Sequence, residues 1–239
     1  MKIIADTHCH TVASVHAYST ILENIKSAKS KSLWAIAITD HNGNVPGAPG
    51  SWYFDNLKIL PKEIEGVKIL RGMEANVLGS SGHVDVPELK FELDWIIASI
   101  HEVTWNGSHG IEECTNAWLA VAENPLINVV GHSGVPGFEY DFEKVIPVFK
   151  KNSKLVEINA SSFEVRFGSR VNCEKIAECC KKYRVPVIVN SDSHICEHVG
   201  RFDGAVELLE SIGFPEDLVV NSSIERFEDY IRKNTTFFD

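Results

Sequence analysis

The sequence contains no apolar run long enough to cross a membrane. A spanning helix needs about 20 consecutive apolar residues, and every apolar run in these 239 residues is far shorter. Residues 1–6 become polar too early to resemble the apolar part of a signal peptide. We therefore expect no contact with a membrane and a cytoplasmic location.

Paired cysteines are also missing. The six cysteines are scattered, with Cys179 and Cys180 as the only neighbours, and no Cys-x-x-Cys spacing occurs. Small secreted domains and structural zinc sites both depend on cysteines that act in pairs or groups. We expect reduced thiols in the core or on the surface, as is typical of a cytoplasmic protein.

Positive charge is scarce. The formal net charge is −10, and no Lys/Arg cluster is longer than the pairs Lys150-Lys151 and Lys181-Lys182. Affinity for long nucleic acids comes mainly from residues that neutralise phosphates. A long nucleic acid is therefore an unfavourable partner, whereas a small phosphorylated substrate could still bind at a local cluster of metal ions.

Short apolar runs alternate with helical segments along the chain. The runs are too short for helices and lack polar alternation, which is typical of buried strands in a parallel sheet. Thr20 and Glu23 form a capping-box pattern, and Asp141 can cap a helix that Pro147 should kink. We interpret this as a strand followed by a helix, seven times. The predicted strands are 2–6, 34–39, 67–77, 94–100, 128–131, 155–160 and 186–190; the helices are 20–31, 54–60, 111–123, 142–151, 172–183, 205–212 and 224–233, with a short extended piece at 218–220.

These elements fit a closed barrel better than an open sheet. An open dinucleotide-binding sheet would carry Gly-x-Gly-x-x-Gly after its first strand, and that motif is absent. Only in a barrel do the carboxyl ends of all the strands meet at one site, and ligand-type residues follow nearly all of the predicted strands. We therefore predict an α/β barrel formed by residues 1–239 as a single domain.

Histidines and acidic residues concentrate at these strand ends. His8 and His10 are two residues apart, so a strand would point both to one face, where two imidazoles can bind a metal ion. For each residue alone a structural role is the simpler interpretation. Seven of the ten histidines share this position, however, while His83 and His109 fall in surface loops and His198 in a loop that could line the pocket. The candidate metal ligands are His8, His10, His16, His41, Glu74, His101, His132, Asp192 and His194.

Nine candidate ligands exceed the three or four of one zinc site. They suit two or three ions about 3.5–4 Å apart with a bridging carboxylate, and imidazole suits zinc, manganese and iron. Three divalent ions and two carboxylates would leave a charge of roughly +4, which attracts a polyanion such as phosphate better than a neutral amide.

Six short motifs occur in order along almost the whole chain. They are Asp6-Thr7-His8-Cys9-His10, Thr39-Asp40-His41, Gly72-Met73-Glu74, Ser99-Ile100-His101, Gly131-His132 and Asn190-Ser191-Asp192-Ser193-His194. By these motifs the sequence resembles the PHP (polymerase and histidinol phosphatase) superfamily, and more closely its stand-alone bacterial members, the YcdX-like phosphatases. The resemblance implies a distorted (β/α)7 TIM-like barrel with a trinuclear site, and also a homotrimer.

The resemblance also implies how the ligands are shared. His8, His10, Glu74 and Asp192 would hold one ion, His16, His41 and His194 a second, and Glu74 would bridge to a third that His101 and His132 complete. No ligand position of the family pattern is replaced. The three divalent ions are expected to be zinc, with manganese or iron as alternatives.

The resulting hypothesis is metal-dependent hydrolysis of a small phosphate monoester. A hydroxide that bridges two ions would attack phosphorus in line while the ions bind the phosphoryl oxygens. Asp192 could also steer a proton as a catalytic residue, although a ligand role fits it better. Arg166, beyond the sixth strand, is a candidate phosphate clamp, with a surface salt bridge as an equal alternative. Arg201 has a similar but weaker case.

Three alternatives stay open. A phosphodiesterase or exonuclease would act on nucleotides or short nucleic acid, although the acidic chain offers no basic strip to a long polymer. A metal-dependent amidohydrolase also opens with His-x-His, yet no lysine stands at a predicted strand end to bridge the metals, and Glu74 occupies that place. A non-catalytic module would bind metal without turnover. Barrel loops vary between relatives, so the motifs do not name the substrate.

Overall fold

The computed structural model describes residues 1–238. The strands are β1 (Ala5–Asp6), β2 (Ala35–Ile38), β3 (Glu63–Ile64), β4 (Val67–Asn76), β5 (Trp95–Ser99), β6 (Val129–Val130), β7 (Leu155–Asn159) and β8 (Val187–Asn190). The α-helices are α1 (Ile21–Ser30), α2 (Ser51–Asn56), α3 (Ile111–Glu123), α4 (Phe142–Lys151), α5 (Ser162–Val165), α6 (Ser169–Tyr183), α7 (Asp203–Ser211) and α8 (Ile224–Asn234). Short 3₁₀ turns occupy Leu57–Ile59, Cys196–His198, Glu216–Leu218 and Val220–Ser222.

Seven parallel strands form a nearly closed barrel in the order β1-β2-β4-β5-β6-β7-β8, and β3 adds an antiparallel hairpin to β4. The strands β1 and β8 do not form a regular ladder. The side chain of Asn221 fills the gap between them, because its amide accepts from Val189 N–H at 3.1 Å and donates to Ala5 O at 2.8 Å. Closer to the carboxyl ends, His10 N–H donates directly to Ser193 O at 2.8 Å. The predicted distorted barrel is therefore confirmed.

Side chains alternate between two apolar layers. Ala35, Ala37 and Leu70 belong to the core inside the barrel, whereas Ile36 and Ile69 belong to the core between the strands and the surrounding helices. This alternation follows from the two-residue period of a strand.

Helix α8 covers the amino-terminal end of the barrel. Its Phe227 is fully buried and lies edge-on to Trp95, the first residue of β5, with the ring centroids 5.9 Å apart. Among the described residues, α8 therefore packs over the amino-terminal end of the barrel core, whereas the carboxyl ends of the strands border an open cleft of about 590 Å³.

Several predicted elements match the structure closely. Helices α3 and α4 have the predicted bounds, and Thr20 and Glu23 form the expected capping box at α1. Asp141 caps α4 by accepting from Lys144 N–H at 3.0 Å. All six cysteines are free, five of them buried. Among residues 1–238, no helix is both long enough and apolar enough to cross a bilayer.

The strand-then-helix pattern is interrupted between β4 and β5, where none of the individually predicted helices lies and the described residues contain none. This segment contains turns and an isolated bridge between Val77 and Val84 instead. Gly82 has a φ of +66°, and a Cβ atom there would lie 2.5 Å from Ala117 O of α3, so the turn at this glycine packs closely against α3. The predicted extended piece at 218–220 is also different, because two 3₁₀ turns flank the single bridging residue Val219.

Candidate metal centre

The barrel brings all nine candidate ligands into one connected cluster at the carboxyl ends of its strands. Six of them are buried, His101 and His194 are partly exposed, and His16 is exposed. The buried members extend from β1, β2, β4, β6 and β8, so the closure of the barrel assembles the cluster from distant parts of the sequence. Outside the contacts of Glu74, the neighbouring pairs are His8 Nε2 and Asp192 Oδ1 at 3.5 Å, His10 Nε2 and Asp192 Oδ1 at 3.3 Å, His194 Nδ1 and Asp192 Oδ1 at 3.6 Å, and His16 Nε2 and His194 Nε2 at 2.9 Å.

Glu74 lies at the centre of the cluster. Its side chain is 1% exposed, and five imidazoles surround its two oxygens. A carboxylate that faces nitrogen atoms on both oxygens is suited to bridge two metal ions. Oε1 lies 3.3 Å from His8 Nε2, 3.4 Å from His101 Nε2 and 2.9 Å from His132 Nε2; Oε2 lies 3.4 Å from His10 Nε2 and 2.8 Å from His41 Nδ1.

Several of these buried atoms have no hydrogen-bond partner among residues 1–238. The large majority of buried polar atoms in proteins are paired, and unpaired ones are costly. Here the unpaired atoms face one another and include His8 Nε2, His10 Nε2, His41 Nδ1, His101 Nε2 and Glu74 Oε2. Three overlapping sets bring their donor atoms within 4.8 Å of one another, namely His10, His41 and His194; His8, His10 and Glu74; and His41, Glu74 and His101. This donor set fits divalent metal ions.

The electrostatic environment favours the protonation states that metal ligands need. Burial and the nearby His41 lower the pKa of His10 well below its usual value, and burial and Arg166 lower that of His132 to about 4. Burial alone would raise the pKa of Glu74, but His8 and other histidines lower it well below its usual range. Neutral imidazoles and an ionised carboxylate are the forms that bind metal.

His8 differs from the other buried histidines. Burial acts to lower its pKa, yet the carboxylates of Glu157, Asp192 and Glu74 together raise the pKa well above the usual value. A divalent ion held by His8 Nε2 would replace this proton and interact with the carboxylates of Asp192 and Glu74, while Glu157 stays at Nδ1.

Glu157 of β7 orients two of the candidate ligands. His8 Nδ1–H donates to Glu157 Oε1 at 2.7 Å, and the backbone N–H of His132 donates to Oε2 at 2.7 Å. The side chains of Asn190 and Asn159 donate to the same carboxylate at 2.9 and 3.1 Å. Such a carboxylate fixes which nitrogen of the imidazole faces the metal.

Asp40 orients His10 through Ser14. His10 Nδ1 lies 3.2 Å from Ser14 Oγ, which donates to Asp40 Oδ1 at 2.7 Å. Asp40 also accepts from Thr11 N–H at 2.7 Å and from Tyr53 OH at 2.6 Å. The loop after β1 is therefore tied to the end of β2.

Asp85 acts on His101 through Asn76. His101 Nδ1–H donates to Asn76 Oδ1 at 2.7 Å, and Asn76 Nδ2 donates to Asp85 Oδ2 at 2.8 Å. The carboxylate fixes the orientation of the amide, so the amide oxygen faces His101.

The sequence analysis did not assign these three orienting carboxylates. The sequence did indicate a partner for Glu157, because an acidic residue inside a buried apolar run must be paired. Asp40 stood inside a recognised motif without a role. Asp85 follows no pattern in the sequence that would distinguish it from a loop residue.

Two of the candidate ligands have an uncommon backbone conformation. His132 has a φ of +22° and Asp192 a φ of +53°, a region that residues other than glycine rarely adopt. The contact of Glu157 with His132 N–H and the 3.1 Å hydrogen bond from Asn159 to Asp192 Oδ2 hold both residues. Strain of this kind is concentrated at functional sites.

Of the remaining predicted residues, only Arg166 reaches the cluster. Its Nη1 lies 3.5 Å from Asp192 Oδ2 and 2.9 Å from Ser162 Oγ. Arg166 and six of the candidate ligands line a cleft of about 590 Å³. Arg201 pairs with Glu164 at 2.8 Å and lines a separate small pocket together with His198. His83 and His109 are exposed, as expected.

Comparisons with known proteins agree with this architecture. The profile of the PHP domain matches residues 6–165, and the profile described as PHP-associated matches residues 171–221. A "probable phosphatase" of Caldanaerobacter subterraneus subsp. tengcongensis is 44% identical over 235 residues, covering 98% of this chain and 92% of the relative. A "probable phosphatase" of Acetivibrio thermocellus is 43% identical over 234 residues, covering 98% and 97%.

A solved structure has the same fold at low sequence identity. The histidinol phosphate phosphatase of Lactococcus lactis subsp. lactis, in complex with zinc, L-histidinol and phosphate, is 18% identical and superposes with a TM-score of 0.60 over 88% of this chain and 94% of that chain. Together with the two matching profiles and the relatives above 40% identity, the closed barrel and its cluster of histidines lead to one assignment: the chain belongs to the PHP domain family.

Proposed function

We propose that this chain is a metal-dependent phosphatase that hydrolyses small phosphate monoesters. The observation that carries the proposal is the buried Glu74 carboxylate with five imidazoles around it. Divalent ions held by many neutral imidazoles and few carboxylates keep an excess of positive charge, which phosphate can balance. The curated relatives named as probable phosphatases support this choice.

The proposed cofactors are three divalent ions, with zinc preferred and manganese or iron as alternatives. His8, His10, Glu74 and Asp192 would hold one, His16, His41 and His194 a second, and Glu74, His101 and His132 a third. When bound, such ions supply Lewis acidity and an activated water for attack on phosphorus. The zinc and phosphate in the Lactococcus lactis structure support the preference for zinc.

The chain's own residues would position the substrate. The guanidinium of Arg166 borders the cleft, and Ser162 Oγ holds it at 2.9 Å, so it can bind phosphoryl oxygens through its N–H fork. Asp192 accepts from Asn159 and lies within 3.6 Å of three imidazoles. This enclosed position favours a ligand role for Asp192 over that of a proton carrier.

Phosphate release from an aryl phosphate monoester tests the proposal. Zinc- or manganese-loaded protein should release phosphate, and a chelated sample should not. Glu74→Gln should reduce the rate by at least about a thousandfold, because it removes the central charge of the cluster. Glu174→Gln, on the exposed face of α6, is the matched control and should keep the full rate.

A matching aryl phosphodiester separates the main alternative. Faster release from the diester than from the monoester would favour a phosphodiesterase. Full metal loading without turnover of either substrate would favour a metal-binding module.

We also propose that residues 1–239 form one domain. Asn221, which lies in the region matched by the PHP-associated profile, completes the barrel that β1 begins. The last residue of that range, Asp239, lies outside the described residues. The homotrimer stays a prediction, which sedimentation of the purified protein would test.

A further inference from the structure

The cleft above the metal centre has room for more than a phosphoryl group. Its volume of about 590 Å³ lies within the usual range for small-molecule sites. Six candidate ligands and Arg166 border one part of it. The rest of the cleft is therefore available to the leaving group of a phosphate ester.

This remaining wall of the cleft is apolar. The loop after β1 contributes Val15, the loop after β2 contributes Val45 and Pro46, and the loop after β5 contributes Val103. Val15 and Val103 are 61% and 67% exposed, so a ligand could bury much of their surface. Phe138, in the loop after β6, backs the same wall and is itself buried.

Apart from the candidate ligand histidines, no neutral hydrogen-bonding side chain of the described residues lines the cleft. Within the described part of the chain, the cleft is bordered by no serine, threonine, asparagine, glutamine, tyrosine or lysine side chain. Its two prolines, Pro46 and Pro136, offer no backbone N–H. The hydroxyl groups of a sugar would lose water there without gaining side-chain partners, which is unfavourable.

Apart from the candidate ligands Glu74 and Asp192, one acidic residue borders the cleft, and it is poorly placed to select a cation. The side chain of Glu102 is 71% exposed, and its Oε1 lies 3.5 Å from His109 Nε2 at the rim. Solvent screens an exposed carboxylate, so its attraction for an amine on the substrate is weak.

We propose that the substrate of this site is a phosphate monoester whose leaving group is apolar and uncharged, with Val15 and Val103 as specificity-determining residues. This inference rests on the proposed phosphatase function. In the reaction, water forms a P–O bond, the ester P–O bond breaks, and the alcohol leaves with one proton from water. Sugar phosphates and phosphorylated amines would be the poorer substrates.

Binding of three phosphonates to the zinc-loaded protein, measured by calorimetry, tests the inference without turnover. The probes share a two-carbon chain and end in a phenyl, a hydroxyl or an amino group, and their C–P bond is not hydrolysed. We expect 2-phenylethylphosphonate to bind about tenfold more tightly than the other two, because it buries apolar surface. Equal affinities, no measurable binding, or a preference for the hydroxyl or amino probe would overturn the inference.

Two variants test whether the apolar wall causes the tighter binding of the phenyl probe. Val103→Asp should abolish the advantage of the phenyl probe by placing a charge in the apolar wall. Val171→Asp, at a similarly exposed valine of α6 that does not border the cleft, should leave it intact. Loss of the advantage in both variants, or in neither, would contradict the assignment to this wall.

Turnover then separates the two proposals. Tight phenyl binding without hydrolysis of any monoester would refute the phosphatase function, and with it the monoester substrate, while the apolar binding wall would stand. Hydrolysis of glucose 6-phosphate or phosphoethanolamine as efficiently as 2-phenylethyl phosphate would refute the apolar leaving group alone.

Discussion

Buried charged and polar groups have different surroundings at the two ends of the barrel. At the carboxyl end, buried nitrogen and oxygen atoms of His8, His10 and Glu74 face one another without hydrogen-bond partners. At the amino end, Asp94 forms a two-point ion pair with Arg71 at 2.5 and 2.8 Å. Lys154, just before β7, donates to the backbone oxygens of residues 124 and 127 at 2.6 and 2.7 Å.

This difference distinguishes the carboxyl end, which carries the candidate metal centre, from the amino end, where the buried charges stabilise the fold. Unpaired atoms at the carboxyl end reduce the stability of the metal-free fold but leave donor atoms available to ions. The buried charges at the amino end are already bound, Asp94 by Arg71 and Lys154 by two backbone carbonyl groups. This division agrees with the general behaviour of barrels, in which the active site lies at the carboxyl ends of the strands.

The largest effect is expected from Asp94→Asn at the amino end. Removing one partner of a buried ion pair leaves the Arg71 charge uncompensated and typically costs about 3–5 kcal/mol. We expect a loss of this size in the free energy of unfolding, measured by urea denaturation, with no change in the metal content of the folded protein.

A double variant serves as the control for this prediction. Arg71→Met combined with Asp94→Leu removes both charges and should recover most of the lost stability. A fall in metal content in Asp94→Asn would break the proposed separation of the two ends.

The sequence was sufficient where structure depends on neighbours along the chain. Asp141 and the apolar spacing after it set the bounds of α4, and the two-residue period of a strand placed His8 and His10 on one face. The positions of the strand ends were enough to predict which histidines and acidic side chains lie close together, because a barrel brings all its carboxyl ends together.

The sequence was insufficient where distant residues meet. Glu157 orients His8 from 149 residues away, and the Asn221 side chain replaces a strand ladder between β1 and β8. Neither contact has a local pattern, since both depend on how the barrel closes. The close packing of Gly82 against α3 likewise brings together residues that are far apart in the sequence.

A smaller effect is expected from Glu157→Gln at the carboxyl end. In contrast to Asp94→Asn, this variant should change the affinity for metal. The carboxylate accepts four N–H groups, and the NH₂ of glutamine would oppose one of them. Loss of such an orienting contact typically weakens metal binding by roughly 10–100-fold. Competition with a chromogenic chelator measures this change.

Glu174→Gln is again the control and should bind metal like the unaltered protein. Unchanged metal affinity in Glu157→Gln would mean that the carboxylate supports only the fold. This result would contradict the view that the buried polar groups at the carboxyl end serve metal binding.

The smallest effect concerns Lys154 and the pH. Burial lowers the pKa of Lys154 to about 8, against about 10.4 in an unfolded chain. Between these values the unfolded state binds more protons, so the free energy of unfolding should rise with pH. Relative to Lys154→Met, which cannot titrate, the protein should gain roughly 0.5–1 kcal/mol between pH 7 and 8.5. A pH-independent difference would show that the lysine keeps its proton, and that the amino end tolerates a buried charge held by backbone carbonyls alone.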